Sequence, residues 1–339
     1  MLYAPLSGLI ITPVYGKTCN GMYLLYGSNP TLTHVTISNN TSTYHAGGMC
    51  LVESNPILTD VTISNNSTNN EGGGMRLSAS YPTLTHVTIS NNTAEQFGGG
   101  MHLYYSNPTL TNVTISNNSG YSSGGMYVRY SNPTLTHVTI SNNTASHYGG
   151  GMWLFSSNPT LTNSIIWDNS PESIYSYPTL VEEPIITYSD IEGDTTWAGE
   201  GNINDNPQFT DSENEDYTLM EGSPCIDTGD PSLWYEDLDG TRADMGITGG
   251  LFVLPNFTSH DFGEVGDIGS SKQFTLYNYR NTPITISSVT FGTSSFTTDA
   301  SFPMTIYPLE TGNISINANN NSFEYVEDAM EIISEDLPE

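Results

Sequence analysis

Side chains that could bind a ligand recur beside a methionine that ends a glycine-rich signature. Two positions next to this methionine vary from copy to copy and carry arginine, histidine and aromatic residues. Flat rings beside charged groups can stack on sugars or anchor a protein partner. The candidate ligand-binding residues are Arg76, His102, Tyr104, Tyr127, Arg129, Trp153 and Phe155. The alternative interpretation is structural, with neighbouring loops or another domain covering this face.

Threonines two residues apart recur in a second part of the same repeat. Along a strand such residues lie about 6.6 Å apart, and stacked strands lie about 4.8 Å apart. This two-column array resembles the Thr-x-Thr design of β-helical antifreeze proteins, and the resemblance implies ice binding as an alternative function. The threonines are Thr31, Thr33, Thr59, Thr83, Thr85, Thr109, Thr111, Thr134, Thr136, Thr160 and Thr162, with Ile57 interrupting one column. A structural explanation also exists, because threonine is favoured on exposed strands.

A short acidic segment could hold a metal ion. DLDGTRAD places the carboxylates of Asp237, Asp239 and Asp244 beside a glycine turn. Calcium is a hard cation that prefers clustered carboxylates, so the segment is a candidate for a structural Ca²⁺ site. Its spacing is shorter than an EF-hand loop and lacks the distal glutamate. A solvated acidic turn with Arg242 as its internal partner is the alternative, and we expect no other cofactor.

The titratable residues of the repeats are too dispersed to form a catalytic set. The acidic ones are Glu53, Asp60, Glu71 and Glu95. They form no pair on a common strand, and no nucleophile has a base and an acid beside it. One repeat position carries His34, Asp60, His86, Asn112, His137 and Asn163. Histidines in alternate repeats would lie about 9.6 Å apart, too far to share a metal. We therefore predict a non-enzymatic protein, with a polysaccharide lyase or hydrolase on a β-helix as the second alternative.

Short strands within a repeated unit would position these side chains. The unit is marked by the methionines Met22, Met49, Met75, Met101, Met126 and Met152. A nearly constant period of about 26 residues indicates stacked supersecondary units. Apolar and polar residues alternate within VTIS and TLT, which is typical of strands, and helical periodicity is absent. The sequence therefore predicts an all-β fold, a parallel β-helix with one repeat per coil and like residues stacked from coil to coil.

Ladders of like residues would form the core and the corners of this helix. Methionine, leucine, valine and isoleucine point inward by the alternation and would fill the interior. Repeated pairs such as Asn39-Asn40 are expected to form amide ladders, and the Asn-x-Thr/Ser sequons they create are interpreted as corner chemistry. The Gly-Gly pairs suit corners that need positive φ. The repeat thus predicts which residues form the core of each coil and which residues form its corners.

The repeat also resembles a known family. GGM, followed in the same repeat by IxxN as at Ile37 to Asn40, resembles the GGA and FxxN pattern of polymorphic outer-membrane protein repeats. More broadly, residues from Gly21 to about Asn169 look like the right-handed β-helix repeats of large secreted bacterial surface proteins. The resemblance implies right-handed coils and a location outside the cell or at the bacterial cell surface.

The chain divides into three predicted domains. Residues 1–180 hold the β-helix repeats, and their start, without a signal or cap, reads as truncated. Residues 181–250 are acidic and contain GSPCIDTGDP and DLDGTRADMG. These segments resemble sequence motifs in the terminal coils of secreted β-helix proteins. Such a cap would cover the last coil and its open interior. Residues 251–339 show short alternating strands, which favour an immunoglobulin-like β-sandwich, and DFGEVGDIGSSKQFTLYNYRNTPITISSV resembles ASH-type (HYDIN-like) immunoglobulin modules of bacterial surface proteins.

Charge and composition limit the partners. The formal net charge is −30 with six Lys and Arg residues, which excludes a phosphate-binding surface for nucleic acid. No apolar run approaches about 18 residues, so no transmembrane segment is expected. Cys19, Cys50 and Cys225 are interpreted as buried or half-buried free thiols, because three cysteines cannot all pair.

These features together favour a non-enzymatic surface or adhesion protein outside the cell. It would present one face of the β-helix to its ligand. A glycan is the favoured ligand class, and a cell-surface protein is the other.

Overall fold

Two compact units make up the chain. The computed structural model describes residues 6–7, 10–11, 15–16, 19–177, 183–232, 235, 237, 241–249, 253–255, 262, 269–278, 283–307, 310–319, 326 and 328–334. The first unit is Met1–Pro231 with Arg242–Gly250, and the second is Ser232–Thr241 with Leu251–Glu339.

The first unit is a parallel β-helix with four parallel sheets. The Met sheet comprises Met22–Leu25, Met49–Val52, Met75–Ser78, Met101–Tyr104, Met126–Arg129, Met152–Phe155 and Ile174–Ser176. The TLT sheet comprises Leu6–Ser7, Thr31–Thr33, Ile57–Thr59, Thr83–Thr85, Thr109–Thr111, Thr134–Thr136, Thr160–Thr162 and Ile185–Thr187. The TIS sheet comprises Ile10–Ile11, Thr36–Ser38, Thr62–Ser64, Thr88–Ser90, Thr114–Ser116, Thr139–Ser141, Ile165–Trp167 and Asp190–Ile191. The short sheet comprises Tyr15–Gly16, Thr41–Ser42, Ser67–Thr68, Thr93–Ala94, Ser119–Gly120 and Thr144–Ala145.

Each strand pairs in register with the same segment of the next coil. Leu58 pairs with Leu84 in the TLT sheet, and Ile63 pairs with Ile89 in the TIS sheet. Every residue therefore faces its own counterpart, and side chains of one type form continuous ladders along the unit. The predicted all-β, parallel β-helical repeat is confirmed.

Alternation along these strands builds the core. Leu84 and Leu110 have no exposed surface, whereas Thr83 and Thr109 beside them are exposed. The Met sheet contributes its methionines, and the TIS sheet contributes its isoleucines, to one contiguous apolar cluster. Burial of apolar surface is the main favourable term in folding, so a period-two pattern repeated in each coil fixes which face turns inward. The predicted apolar ladders are confirmed.

The two asparagines of each pair have different roles. The first has a positive φ, 56° at Asn91 and 55° at Asn117, a region that asparagine tolerates better than most residues. The second is buried: the Asn92 backbone N–H and Nδ2 both donate to the Asn118 Oδ1, at 2.9 and 3.0 Å. Such contacts connect Asn40, Asn66, Asn92, Asn118, Asn143 and Asn169. The expected amide ladder therefore forms from the second asparagine alone.

Close packing, not positive φ, explains the Gly-Gly pairs, and this corrects the prediction. A Cβ on Gly74 would lie 2.7 Å from the carbonyl oxygen of Gly100, and one on Gly100 would lie 2.7 Å from that of Gly125. The backbones of successive coils thus pass too close for a side chain. Positive φ belongs instead to Gly72 and Gly98, the glycines that precede the pair.

Non-repeating chain ends the β-helix. Ile185–Thr187 and Asp190–Ile191 add the last strands of the TLT and TIS sheets. Trp197 then packs against the apolar core cluster, and the backbone N–H of Tyr188 donates to the carbonyl of Glu200 at 2.7 Å. A large aromatic side chain thereby covers core atoms that a further coil would otherwise cover.

The acidic segment, residues 204–230 and 242–249, lies along the TIS sheet. It contains the antiparallel strands Phe209–Asp211 and Asp216–Leu219, and between them the 3-10 turn Ser212–Asn214. Glu215 Oε1 accepts hydrogen bonds from the Nδ2 of Asn91 at 2.6 Å and of Asn117 at 3.2 Å. The Ser212 carbonyl accepts from Asn142 Nδ2 at 3.1 Å, and Gly246 donates to the Asn163 carbonyl at 2.8 Å. The segment therefore contacts successive coils along the side of the helix.

The cysteines correct one prediction and match another. Cys19 and Cys50 form a disulfide, with Cα atoms 6.0 Å apart. They hold different positions in the repeat, but neighbouring coils bring these positions together, so sequence position alone misled the prediction of free thiols. Cys225 is free and buried, as expected. Its thiol donates to Asp190 Oδ2 at 3.2 Å, and burial raises the pKa of Asp190 to about 6.

The second unit contains antiparallel sheets. Val253–Pro255, Ser270–Asn278, Thr311–Ala318 and Phe296–Thr298 form a four-stranded sheet, and Met304–Ile306, Ile284–Phe291 and Met330–Ser334 form a three-stranded sheet. Leu276 and Ile314 from the first sheet and Ile286 from the second belong to one buried apolar cluster. The two sheets therefore share a core.

Helix is nearly absent from the described part of the chain. No helix there has the length and apolar composition of a membrane-spanning segment.

Candidate functional site on the Met sheet

The outer face of the Met sheet has two columns of side chains. The first column follows each methionine directly and includes His102, Tyr127 and Trp153, which are only 3%, 5% and 8% exposed. The second column lies two residues further on and includes Tyr104 and Arg129, both half-buried. These three side chains are therefore covered, whereas Tyr23 at the same repeat position is 47% exposed and the second column is half-buried.

Loops that lead into the Met strands cover the first column. The Phe97 ring stacks on Tyr127 with centroids 5.0 Å apart. The Tyr148 ring lies 4.7 Å from Trp153 and 4.8 Å from Tyr175. Buried aromatic contacts of this kind stabilise packing rather than offer a free surface. Tyr127 and Trp153 are thus covered by neighbouring loops.

A polar group continues the same column in the preceding coils. Arg76 Nε donates to Glu71 Oε2 at 3.0 Å, and His102 Nδ1 lies 3.5 Å from the same oxygen. Burial lowers the pKa of His102 to about 4, so its imidazole is neutral at neutral pH. Burial opposes ionisation of Glu71, but His102 and Arg76 outweigh it and lower the pKa of that carboxyl. The charge of Arg76 is therefore neutralised within the protein.

The second column joins an exposed row at the next corner of the coil. Tyr105, Tyr130 and Tyr177 have 51%, 36% and 40% of their surface exposed. The backbone explains the outward position of the first two, because Tyr105 and Tyr130 have φ of 48° and 50° at the end of their strands. We define the Arg129 patch as Tyr104, Tyr105, Arg129, Tyr130, Phe155 and Tyr177. Its three corner tyrosines were not predicted from the sequence, although the residue after each Met strand varies from copy to copy.

Aromatic rings surround the Arg129 guanidinium. Its Cζ lies 5.5 Å from the ring centre of Tyr104, 5.2 Å from that of Tyr130 and 5.4 Å from that of Phe155. These separations are typical of cation–π contacts. Rings also stack from coil to coil, with 5.0 Å between Tyr105 and Tyr130 and 5.2 Å between Phe155 and Tyr177. The patch is thus a continuous aromatic surface over successive coils with one cation in its middle.

The TLT sheet keeps its threonines in register. Thr33, Thr59, Thr85, Thr111, Thr136, Thr162 and Thr187 pair in sequence without interruption. The outer column, which contains Thr31, Thr83, Thr109, Thr134 and Thr160, is interrupted by Ile57 and continues to Ile185. Thr83 and Thr109 are exposed, whereas Thr85 has only 8% of its surface exposed. The threonine array therefore has one open column and one partly covered column.

The polar ladder between the TLT and TIS sheets is a set of corner residues with positive φ. Asp60 lies between two histidines, with its carboxylate oxygens 3.7 Å from His34 Nδ1 and 3.8 Å from His86 Nδ1. Further along, His137 is buried and its Nε2 lies 3.1 Å from Asn163 Nδ2. Burial lowers the pKa of His137 to about 4. The ladder thus connects neighbouring corners by polar contacts.

The candidate calcium ligands are distributed over both units. Asp244 belongs to the first unit, where its Oδ1 accepts a hydrogen bond from the Asp227 backbone at 2.9 Å. Asp237 belongs to the second unit, and Asp239 lies outside the described residues. Arg242, expected as an internal partner of the acidic turn, donates to the carbonyls of Thr228 and Gly229.

Comparison with known proteins bears on the fold of the first unit. The model of a family described as the right handed beta helix region matches residues 12–123. Searches of curated proteins and of solved structures each gave no match. Together with the in-register pairing of parallel strands, the family match identifies the first unit as a right-handed parallel β-helix.

Proposed function

We propose that this chain is a non-enzymatic surface or adhesion protein of the cell exterior that binds glycans through the Arg129 patch. The observation that carries the proposal is the exposed row of stacked rings around an arginine. Aromatic faces are the surfaces on which proteins hold the apolar C–H faces of sugars. A hydrophobic core has no need of exposed tyrosines at the corners of successive coils.

The spacing of the rings supports a glycan. Stacked strands rise by about 4.8 Å per coil, which is close to the length of one sugar unit in an extended polysaccharide. The patch runs from Tyr104 to Tyr177 and includes one or two of its residues from each coil along the way. An extended saccharide lying parallel to the helix axis would therefore meet a new ring at each sugar.

The remaining features agree with a surface protein. We propose that the repeats are of the polymorphic outer-membrane protein type, on the GGM and IxxN motifs. We also propose that the second unit is an ASH-type immunoglobulin-like module, since its two antiparallel sheets have four and three strands and a shared core.

A glycan array tests this function with the purified chain. Replacing both Tyr105 and Tyr130 by asparagine is expected to weaken saccharide binding tenfold or more, because about 1.4 kcal/mol of lost stacking corresponds to a factor of ten. Asparagine tolerates the positive φ of these positions, so folding is preserved. The matched control is Tyr26→Asn, at the same repeat position but outside the patch, with φ of 45°. Equal binding by the double variant and the control would contradict the proposal.

Ice binding is the second candidate function, favoured by the in-register threonine columns of the TLT sheet. If it holds, the chain produces thermal hysteresis, and Thr83→Tyr with Thr109→Tyr abolishes the effect, because bulky rings on exposed positions disrupt the array. Thr41→Tyr, on an exposed position of the short sheet, is the control and should retain activity. Ordinary freezing by the unmodified chain, with round ice crystals, would eliminate this function.

A further inference from the structure

We infer, resting on the proposed glycan-binding function, that the Arg129 patch selects carboxylated saccharides. In this assignment the guanidinium of Arg129 donates hydrogen bonds to the carboxylate of a uronic acid. The rings of Tyr105, Tyr130 and Phe155 stack on the same sugar and its neighbours. Arginine presents a planar set of donors that matches a carboxylate, so the pair is directional as well as attractive.

Among the described residues of the β-helix, Arg129 is a cation that no carboxylate of the protein neutralises. Arg76 donates to the carboxylate of Glu71, and Arg242 donates to backbone carbonyls. Among the described residues, Arg129 forms no ion pair with a carboxylate; its neighbours are aromatic rings and the Tyr130 hydroxyl. Its Nε atom is buried without a hydrogen-bond partner. The positive charge is thus positioned by rings and remains available to an anion.

Most acidic residues lie outside the repeats that carry this face, and of those within the repeats Glu71 is paired with Arg76. Residues 1–167 contain four of the 36 Asp and Glu residues, whereas residues 168–245 contain twenty. The acidic segment contacts the corner after the TIS sheet, through Glu215 and its neighbours, rather than the Met sheet. Exposed charges are screened within about 8 Å at physiological ionic strength. A carboxylated ligand at Arg129 would therefore lie on a different sheet from the one that the acidic segment contacts.

A uronic acid can contact both the aromatic rings and the guanidinium of the Arg129 patch. One sugar ring carries an apolar C–H face, which stacks on tyrosine, and a carboxylate at its edge, which reaches a neighbouring guanidinium. A neutral sugar would use the rings and leave Arg129 unpaired. An acidic peptide would pair with Arg129, but its flexible side chains would leave much of the ring row uncovered. The combination of a stacked row with a single cation thus favours a polyuronate.

Matched saccharides test the inference on the full chain. The probes are hexasaccharides of alginate, polygalacturonate and hyaluronan, each with its carboxyl methyl ester, together with neutral xylo-, manno- and cello-hexaoses. The unmodified chain is expected to bind at least one acid at least tenfold more tightly than its ester. Arg129→Gln should reduce binding of the acid to the level of the ester measured with the same variant. Arg129→Lys, which keeps the charge but loses the planar donors, should restore only part of the difference.

Each outcome decides between the two proposals. If acid and ester bind equally, selection by charge is wrong, while glycan binding by the patch stands. If no saccharide binds, the proposed function fails and this inference with it. If an acidic peptide, poly-glutamate, binds more tightly than every saccharide, the ligand class is wrong. Melting temperatures of Arg129→Gln and Arg129→Lys equal to that of the parent confirm that lost binding is not lost folding.

Discussion

Replacing Asn118 by alanine is expected to lower the free energy of unfolding by about 3 kcal/mol or more, because each buried polar group left without a partner costs about 1–3 kcal/mol. The Asn118 Oδ1 accepts from both the backbone N–H and the Nδ2 of Asn92. Its Nδ2 donates to the Ile89 carbonyl and to Asn143 Oδ1, and all these contacts are buried. Removing the amide therefore leaves several groups unpaired at once. Urea unfolding, followed by the circular dichroism signal of the β-sheets, measures the change.

An exposed asparagine of the same type is the control. Asn132 Oδ1 accepts from the backbone N–H of Asn158 at 2.9 Å, one coil further along, but Asn132 is exposed. Water can replace its amide, so Asn132→Ala is expected to cost no more than about 1 kcal/mol. Similar losses for Asn118→Ala and Asn132→Ala would show that burial of the amide ladder does not govern stability.

Gly100→Ala should be the other highly destabilising substitution, by about 3 kcal/mol or more. The new Cβ would lie 2.7 Å from the Gly125 carbonyl oxygen, 3.0 Å from Asn118 Nδ2 and 3.1 Å from Ile115 Cγ2. None of these atoms can retreat, because the first belongs to backbone paired between coils and the others to buried ladders. The strain therefore arises from the distance between coils rather than from backbone conformation.

Gly193→Ala separates this steric effect from the general effect of replacing glycine. Gly193 is exposed, and a Cβ there would meet only the Thr195 carbonyl oxygen, at 3.6 Å. Its melting temperature should stay equal to the parent's or rise slightly, because alanine restricts the unfolded chain. If Gly100→Ala has the same melting temperature as Gly193→Ala, the coils can separate enough to admit a methyl group.

The core residues could be predicted from the sequence because alternation within each short strand determines which side chains point inward. Leucine between two threonines in TLT, and isoleucine between threonine and serine in TIS, fix their inward direction by alternation alone. Repetition then supplies the long-range information, since a residue's neighbour across the sheet is its own counterpart one repeat away. Leu84 pairing with Leu110 needs no further data than the period.

The exposure of the candidate site could not be predicted as well, because residues that do not follow the repeat cover part of it. Tyr127 and Trp153 have the types and spacing of a binding face, but Phe97 and Tyr148 stack on them from loops whose path the repeat does not specify. Tyr105 lies one residue beyond the alternating strand, where positive φ turns its ring outward. Cys19 and Cys50 also lie outside a common ladder. For the covered rings and for the disulfide, contact between unlike positions of the repeat decides the outcome.

The acidic segment gives the β-helix a fixed length at one end. Through Glu215, Ser212 and Gly246 it contacts the coils that contain Asn91, Asn117, Asn142 and Asn163. In the coils before Asn91 each strand pairs in register with its counterpart in the next coil, so a gene duplication or deletion of one whole repeat there would join surfaces that already match. The same event further along would place Glu215 beside the wrong coil. Copy number can therefore vary during evolution at the amino-terminal end of the helix while the Arg129 patch keeps its geometry.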